Sequence, residues 1–477
     1  MTESSGPTDF FSTPEMYVWK PGYLSQQSRP VIRARVPNAM KRVLVITYHW
    51  PPSGGVTVLR CLKLVKYLRE FGWEPVVFTA RDAKYQFEDP SNFKDVPDGL
   101  EVVRVTAPEP TNLFKRLTGR KRETPLLSIT ATSADQRSRW DALGVWVRGN
   151  FFIPDARALW IRPSVRHLSH YLKDHPVDAI FTDGPPHTNT VIGLRLAQRF
   201  NLPWLADFQD PWTQVDYYAD MRIGKRADRI HRALEQAVFH TASKISIASP
   251  TWAKELESIG ARHVEVLPYG YDEDDFTDYA PSADPAHFTL FHGGLLGTDR
   301  NPVGLWEALR RMLTDSEELR SRLCIRLAGS VDVEVRRQLA ASGLDPYTQY
   351  LGTLPRTSVI EEIGRANVLL LPVNRAANAA GRIPGKLFEL LRAGKPILSF
   401  SDTPGDVDSF IAKHNAGITT GYEDTEAICN FLNAQLASEA SLRNTAHLVL
   451  LSNRALAAQV AGWLDEIVLH EHQTKES

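Results

Sequence analysis

The hydrophobic positions in the first part of the chain alternate between a buried-strand pattern and a helical pattern. A continuous apolar run at residues 42–48 is typical of a central parallel strand. It ends in a turn that contains Gly54 and Gly55, and helical spacing then continues from 58 to 68. A second apolar run follows at 75–79. Strand, glycine-rich turn, helix and strand together predict the opening βαβ unit of a doubly wound domain.

The same alternation continues along the chain and restarts near residue 285. Further strands of the first series are predicted at 102–105, 179–182, 204–207, 244–248 and 264–267. The second series begins with the run 288–294 and continues at 324–328, 350–352, 368–371, 396–400 and 417–419. The stretch between the two series is rich in Asp, Pro, Ser and Ala, as a linker would be. We therefore expect an α/β protein with two Rossmann-like doubly wound domains that face each other across a cleft.

This pattern divides the chain into four regions. We expect a flexible leader at 1–40, a first Rossmann-like domain at 41–275, a second at 286–445, and a C-terminal helix at 446–477 that could cross back to the first domain. Within the first domain, residues 110–165 are predicted to form a basic and aromatic insertion.

Composition narrows the class of protein. The chain has 477 residues, 43% of them hydrophobic and 23% charged, which is ordinary for a soluble globular protein of two domains. The net charge of −1 argues against a nucleic acid or another polyanion as the partner of the whole molecule. Three widely spaced cysteines, the absence of an 18-residue apolar run and a polar N-terminus predict a reduced, cytoplasmic protein.

The most informative segment for function begins at Pro384. Proline and Gly385 suit the start of a helix that Gly394 would end, and a buried strand follows at once. A helix N-terminus attracts phosphate, and Lys386 adds a full positive charge although the helix dipole disfavours a cation there. Glu389 lies one turn later and could accept hydrogen bonds from two sugar hydroxyls. A phosphate site beside a hydroxyl acceptor predicts nucleotide binding.

The run Pro-Gly-Lys-Leu-Phe-Glu that ends at Glu389 resembles the P-x-K-L-F-E form of the donor-binding motif in family 4 of the GT-B glycosyltransferases. The resemblance covers residues 41 to about 465. It implies transfer of a sugar from a nucleotide-diphosphate-sugar donor to a hydroxyl acceptor, with retention at the anomeric carbon and without a metal or other cofactor. It places Gly385, Lys386 and Leu387 against the donor and Glu389 on its ribose. Many members carry a further glutamate eight positions before Glu389, where this chain has Gly381.

The resemblance also assigns the glycine-rich turns. Gly293 and Gly294 open the second domain, and Arg300 matches a basic residue that pairs with Lys386 on the donor diphosphate. A planar guanidinium can hold two phosphate oxygens, and two cations would stabilise the departing nucleoside diphosphate. The turn with Gly54 and Gly55 in the first domain would face the donor phosphates and the acceptor.

His187 and Asp210 follow strands of the first domain. His187 lies in a proline-containing turn, where the resemblance implies contact with the transferred sugar or the acceptor; a purely local hydrogen bond is the alternative. The run Ala-Asp-Phe-Gln-Asp-Pro-Trp resembles a bacterial A-D-x-R-D-P-W signature in which Gln209 replaces the arginine. Asp207 and Asp210 could both face the cleft, and one could accept a proton from an acceptor hydroxyl. Helix capping by these carboxylates is an equally good interpretation.

Two further patterns have weaker functional interpretations. The D-x-D triplet at 272–274 is of a kind that binds Mg²⁺ or Mn²⁺, but its context favours a linker. Five cations at 115–122 (Lys115, Arg116, Arg120, Lys121 and Arg122) could contact anionic lipid at the inner membrane face, or could form a solvated loop. Because many enzymes of the family act on lipid-linked acceptors, the resemblance implies polysaccharide or lipid-linked glycan synthesis.

Two other functions use the same paired-domain scaffold. One is a sugar-nucleotide epimerase, which would release nucleotide without an acceptor. The other is a catalytically silent nucleotide-sugar binding protein, which Gly381 makes conceivable.

Overall fold

The computed structural model describes residues 40–85, 87–108, 139–438 and 442–476. The first sheet has seven parallel strands in the order β3-β2-β1-β4-β5-β6-β7. They are β1 Lys41–Ile46, β2 Trp73–Ala80, β3 Glu101–Val105, β4 Ala179–Gly184, β5 Trp204–Phe208, β6 Lys244–Ile247 and β7 Val264–Val266. The helices around it are α1 Val56–Leu68, α2 Arg139–Phe151, α3 Ile161–Asp174, α4 His187–Phe200, α5 Lys225–Thr241 and α6 Pro250–Ser258.

The second sheet has six parallel strands in the order β10-β9-β8-β11-β12-β13. They are β8 Phe288–Gly293, β9 Leu323–Ala328, β10 Thr348–Gly352, β11 Val368–Pro372, β12 Ile397–Phe400 and β13 Gly417–Thr420. Its helices are α7 Val303–Asp315, α8 Glu317–Arg322, α9 Val333–Ala341, α10 Arg356–Arg365, α11 Lys386–Ala393, α12 Asp406–Lys413 and α13 Thr425–Ala437. A last helix, α14, spans Asn453–Glu476.

Both sheets are doubly wound, so the predicted fold class is confirmed. In the first sheet the strand order reverses between β1 and β4, and in the second it reverses between β8 and β11. At such a reversal the loops diverge and leave a crevice at the carboxyl ends of the strands, which is where open α/β sheets bind ligands. The turns after β1, β4, β8 and β11 are therefore the segments that position a site.

Helix α14 packs on the first domain. Its apolar residues Leu456, Val460 and Leu464 are buried together with Val58 and Leu62 of α1. The sequence pattern predicted one helical segment from 446 onward, but the structure has a short 3₁₀ turn first and begins α14 at Asn453. The chain thus passes from the first domain to the second and returns.

The predicted insertion is described only from residue 139 onward. Trp160, which belongs to this insertion, is fully buried, and its ring stacks on Phe78 with a centroid distance of 5.2 Å. Trp146 and Phe151 of α2 are exposed. The predicted leader and the five cations at 115–122 lie outside the described residues. Within the described ranges, none of the helices combines the length and apolar character that crossing a bilayer requires.

Candidate active site

Lys386 lies at the carboxyl edge of the second sheet, beside the turn after β8. Its Nζ donates a hydrogen bond to the Gly293 carbonyl oxygen at 3.1 Å. Gly294 has φ +130°, a conformation that glycine adopts readily, and a Cβ there would lie 3.4 Å from the ammonium. The structure thus brings together three residues that the sequence assigned to the donor site.

Lys386 is held in an environment that disfavours its charge. Burial lowers its pKa from 10.5 to about 7, repulsion by Arg300 adds to this, and Glu389 opposes it. Arg300 lies close enough to repel the ammonium and is itself paired with Asp299 at 2.8 Å. A bound anion would reverse the effect, because an opposite charge nearby favours the ammonium. The electrostatics therefore suit a negatively charged ligand.

Glu389 is engaged by a neighbouring cation. Its Oε1 accepts from Nη2 of Arg356 at 2.9 Å, and Nε of Arg356 donates to Asp275 at 2.8 Å. Asp275 also lies 3.3 Å from the ammonium of Lys63 in α1. The carboxylate that the resemblance assigns to a ribose is thus one end of an ion-pair chain that reaches the first domain.

Leu387 occupies a different position from the one the sequence suggested. Its side chain is fully buried in the core of the second domain, and its N–H donates to the Pro384 carbonyl oxygen at 2.9 Å. Neither group faces a ligand, because the side chain points to the sheet and the N–H is already bonded. Leu387 supports the site from the core.

The two domains touch at the N-terminus of α11. A Cβ on Gly385 would come closer than 3.0 Å to Val56, the first residue of α1, so the glycine permits this approach. Gly55, with φ +85°, precedes α1 and faces the same boundary. Gly54 packs under the Phe87 ring and donates its N–H to the Phe87 carbonyl oxygen at 2.9 Å. The predicted glycine turn and the predicted phosphate helix therefore meet across the domain boundary.

Gly381 has a packing reason to be glycine. A Cβ at this position would overlap the Trp252 ring of the first domain, with the nearest atom under 3.0 Å away. The next residue, Arg382, forms an ion pair with Asp216 of the first domain at 3.0 Å. Sequence reasoning missed this ion pair, since no local pattern connects residues so far apart in the chain.

His187 begins α4 and is buried. Its ring stacks on Trp212 with a centroid distance of 4.6 Å. Burial lowers its pKa to about 3, repulsion by His231 adds to this, and a hydrogen bond with the Pro211 backbone opposes it. Within the described part of the chain its Nδ1 has no hydrogen-bond partner. His187 is therefore a neutral imidazole whose Nδ1 is buried and unpaired among the described residues.

Asp207 and Asp210 lie in different environments, although the sequence suggested that both could face the cleft. Asp207 is fully buried, pairs with Arg60 of α1 at 2.6 Å and accepts from Ser246 at 2.6 Å, so its role is structural. Burial raises the pKa of Asp210, while Arg382 acts in the opposite direction. Asp210 therefore remains as the candidate proton acceptor.

Gln209 binds a second buried carboxylate that sequence reasoning missed. Its Nε2 donates to Asp183 at 2.6 Å and to the Thr57 carbonyl oxygen at 3.1 Å. Burial raises the pKa of Asp183 to about 7, and the nearby Asp207 adds to this. Gln209 thus links the ends of β4 and β5 to the start of α1.

The D-x-D triplet belongs to the domain linker. Asp272 accepts hydrogen bonds from Lys63, Lys66 and Tyr67. Burial alone would raise the pKa of Asp272, but attraction to Lys63 and these hydrogen bonds lower it well below the usual range. Among the described residues, no group of three His, Cys, Asp or Glu side chains is arranged to hold a metal ion.

The comparisons with known proteins agree with this geometry. Residues 53–270 match the family model of the glycosyl transferase 4-like domain. The match covers most of the first domain. No curated protein matches the chain.

Solved structures share the whole two-domain arrangement. HepE from Anabaena, solved with UDP and glucose, is 13% identical, with a TM-score of 0.50 over 91% of this chain and 98% of HepE. Sucrose-phosphate synthase from Thermosynechococcus elongatus is 15% identical, with a TM-score of 0.52 over 91% and 98%. A putative UDP-N-acetylglucosamine 2-epimerase from Listeria monocytogenes is 10% identical, with a TM-score of 0.52 over 90% and 98%. At these identities the likeness establishes the fold, and the predicted GT-B fold is confirmed.

Proposed function

We propose that this chain is a glycosyltransferase that moves a sugar from a nucleotide-diphosphate-sugar donor to a hydroxyl group of an acceptor. Glycosyl transfer is the activity that the family match of residues 53–270 and the GT-B fold support. The observation that carries the proposal is the partly buried Lys386, whose ammonium donates to the Gly293 carbonyl oxygen and has Arg300 close to it. HepE, a protein of the same fold, was solved with UDP and glucose.

The second domain would hold the donor. Lys386 and Arg300 would bind the diphosphate, together with the N-terminus of α11. As the glycosidic bond breaks, negative charge grows on the leaving nucleoside diphosphate, and these cations stabilise it without a metal ion or another cofactor. Glu389 would release its ion pair with Arg356 and accept hydrogen bonds from the ribose hydroxyls instead. Gly293, Gly294 and Gly385 would allow the backbone to approach the phosphates.

The first domain would hold the acceptor. Gly54 and Gly55 would face it across the boundary with α11. His187 would contact the transferred sugar or the acceptor once a shift of the neighbouring side chains uncovers its Nδ1. Asp210 would accept the proton of the attacking acceptor hydroxyl, since burial raises its pKa towards the range that suits a general base. Contact between the domains at Gly385 would exclude water from the donor. We include retention at the anomeric carbon in the proposal on the strength of the motif resemblance.

We further propose a cytoplasmic enzyme of polysaccharide or lipid-linked glycan synthesis that contacts the inner face of a membrane. The basic run at 115–122 and the exposed Trp146 and Phe151 nearby in the chain support a peripheral contact with anionic lipid. Replacing Arg120 and Lys121 with glutamate should lower association with anionic liposomes in a sedimentation assay. Unchanged association would reject the membrane contact and leave the transfer activity untouched.

A thermal-shift screen with UDP-, GDP-, ADP- and TDP-sugars tests the donor site. One nucleotide class should raise the melting temperature of the wild type and have no effect on Lys386→Ala. Lys413→Ala removes an exposed lysine from the same domain and is the matched control. Equal stabilisation of Lys386→Ala and wild type would remove Lys386 from the donor site and with it the main support for the proposal.

The same screen separates transfer from its two alternatives. When the protein is incubated with the stabilising nucleotide sugar and a panel of hydroxyl acceptors, a glycosylated product and free nucleotide should form. Release of nucleotide without any acceptor would identify an epimerase, and binding without turnover would identify a silent binding protein.

A further inference from the structure

Two arginines lie at the carboxyl edge of the first sheet without an acidic partner. Arg157, in the loop between α2 and α3, places its guanidinium carbon 4.9 Å from the ring centroid of Tyr48, which follows β1. Arg148 lies near the end of α2, and both arginines are partly exposed. In the ranges that the structure describes, neither guanidinium has a carboxylate oxygen within 4.0 Å. Partial burial of two like charges without an ionic partner is unfavourable, and a bound anion would relieve it.

The nearest carboxylate is already occupied by other donors. Asp155 accepts from the Arg157 backbone N–H at 2.9 Å, and from the Thr188 hydroxyl and the Thr188 backbone N–H at 2.8 Å each. It therefore secures the first turn of α4 and does not form an ion pair with either guanidinium. Burial lowers the pKa of Arg148 and repulsion by Arg157 adds to this, so the two cations lie close to each other.

His49 does not add a third cation to this pair. It lies in the turn after β1, with its Nδ1 3.3 Å from the Ser53 hydroxyl. Burial lowers its pKa to about 4, and Arg157 adds to this effect. His49 is therefore a neutral neighbour of Arg157.

The two arginines are placed at the proposed acceptor side of the cleft. The turn after β1 and the start of α4 flank the strand reversal of the first sheet. The end of α2 is fixed there by Asn150, whose Oδ1 accepts from the Gly224 N–H at 2.7 Å and whose Nδ2 donates to the Arg222 carbonyl oxygen at 3.2 Å. Tyr217, in the adjoining segment, interacts electrostatically with both Arg148 and Asp210. Arg148 and the candidate proton acceptor Asp210 thus both lie near Tyr217.

We infer that Arg148 and Arg157 form a phosphate-binding subsite, and that the acceptor of the reaction carries the phosphate group; this rests on the proposed function. Guanidinium groups bind phosphate through paired, charge-assisted hydrogen bonds. A phosphate monoester carries close to two negative charges at neutral pH, which matches two unpaired guanidiniums better than the single charge of a carboxylate. The acceptor hydroxyl would then be oriented towards Asp210 by a charged group at its other end.

Calorimetry with inorganic phosphate tests the subsite directly. The titration is done in a Lys386→Ala background, so that the proposed donor site does not contribute. This protein should bind phosphate, and adding Arg148→Gln and Arg157→Gln should weaken binding at least tenfold. Arg166→Gln, which removes an exposed arginine from α3, should leave the affinity unchanged. Unchanged affinity in the glutamine pair would overturn the inference.

Two further measurements keep the inference testable if the glutamine pair folds poorly. The pair Arg148→Lys and Arg157→Lys keeps both charges and should retain part of the phosphate affinity. In the unmodified protein, phosphate should slow phenylglyoxal labelling of Arg148 and Arg157, read by peptide mass spectrometry, and should not slow labelling of Arg166. Equal labelling with and without phosphate would count against the subsite.

The outcomes distinguish this inference from the proposed function. Suppose that nucleotide sugars still stabilise the variant with Arg148→Gln and Arg157→Gln, and that these two substitutions leave phosphate affinity unchanged. Only the subsite is then wrong. If no nucleotide sugar stabilises the wild type, the proposed function itself fails. Binding to vesicles with and without phosphatidic acid identifies the source of the phosphate. If Arg148→Gln with Arg157→Gln abolishes vesicle binding, the phosphate belongs to a lipid acceptor. If this variant still binds the vesicles, the phosphate belongs to a soluble acceptor.

Discussion

The depressed pKa of Lys386 predicts that donor affinity depends on pH. In the free protein this pKa is about 7, because partial burial disfavours the ammonium and Arg300 repels it. A bound diphosphate places negative charge beside it and should return the pKa towards the ordinary 10.5. Donor binding above pH 7 must then take up a proton. His292, the neighbouring histidine, stays neutral throughout because burial and Lys386 lower its pKa far below this range.

The magnitude follows from proton linkage. Each pH unit between the two pKa values weakens the apparent affinity about tenfold, or about 1.4 kcal/mol, because the competent protonated form becomes that much rarer. Affinity should therefore fall roughly tenfold from pH 6 to pH 8 and roughly a hundredfold by pH 9. Below pH 7 it should be nearly constant, since the lysine is then already charged.

Calorimetric titration with the stabilising nucleotide sugar measures both quantities. Titrations in buffers of different ionisation enthalpy should show uptake of close to one proton at pH 8. Lys386→Arg is the control, because a guanidinium stays charged and should remove the pH dependence even where it weakens binding. Equal wild-type affinity at pH 6 and pH 9, or the same slope in Lys386→Arg, would refute the reasoning.

Two further predictions concern stability. Arg60→Met leaves the fully buried Asp207 unpaired and should lower the free energy of unfolding by about 3–5 kcal/mol in urea denaturation. The double variant that also carries Asp207→Leu should recover part of this loss. A loss near zero for Arg60→Met would show that water reaches the carboxylate. Gly381→Ala forces a methyl group into the Trp252 ring and should cost about 1–3 kcal/mol in the same assay. Gly462→Ala in α14, where a Cβ meets nothing within 4 Å, should be neutral or stabilising, and equal losses at the two glycines would reject the packing argument.

The fold could be predicted because its signals are local. Central parallel strands are buried on both faces, so β4 and β11 are continuous apolar runs that stand out from the helices around them. Every strand predicted from the sequence overlaps a strand of the structure. The helix at Lys386–Ala393 was equally predictable, because proline and glycine mark its start and Gly394 marks its end.

The pairings within the site could not be predicted, because they join distant parts of the chain. Arg60 and Asp207 are 147 residues apart, and Arg356 and Glu389 are 33 apart on different helices. The one usable signal was Arg60 itself, an arginine within the apolar face of α1. Burial of this kind requires an acidic partner, although the sequence does not say which carboxylate supplies it.

The return of α14 to the first sheet has a consequence for biosynthesis. Leu456, Val460 and Leu464 complete a core whose other half, including Val58 and Leu62, leaves the ribosome almost four hundred residues earlier. The first domain therefore exposes an apolar surface until translation of the second domain and of α14 has finished. Nascent chains stalled before codon 453 should accordingly bind chaperones, and release of the final helix should end that dependence.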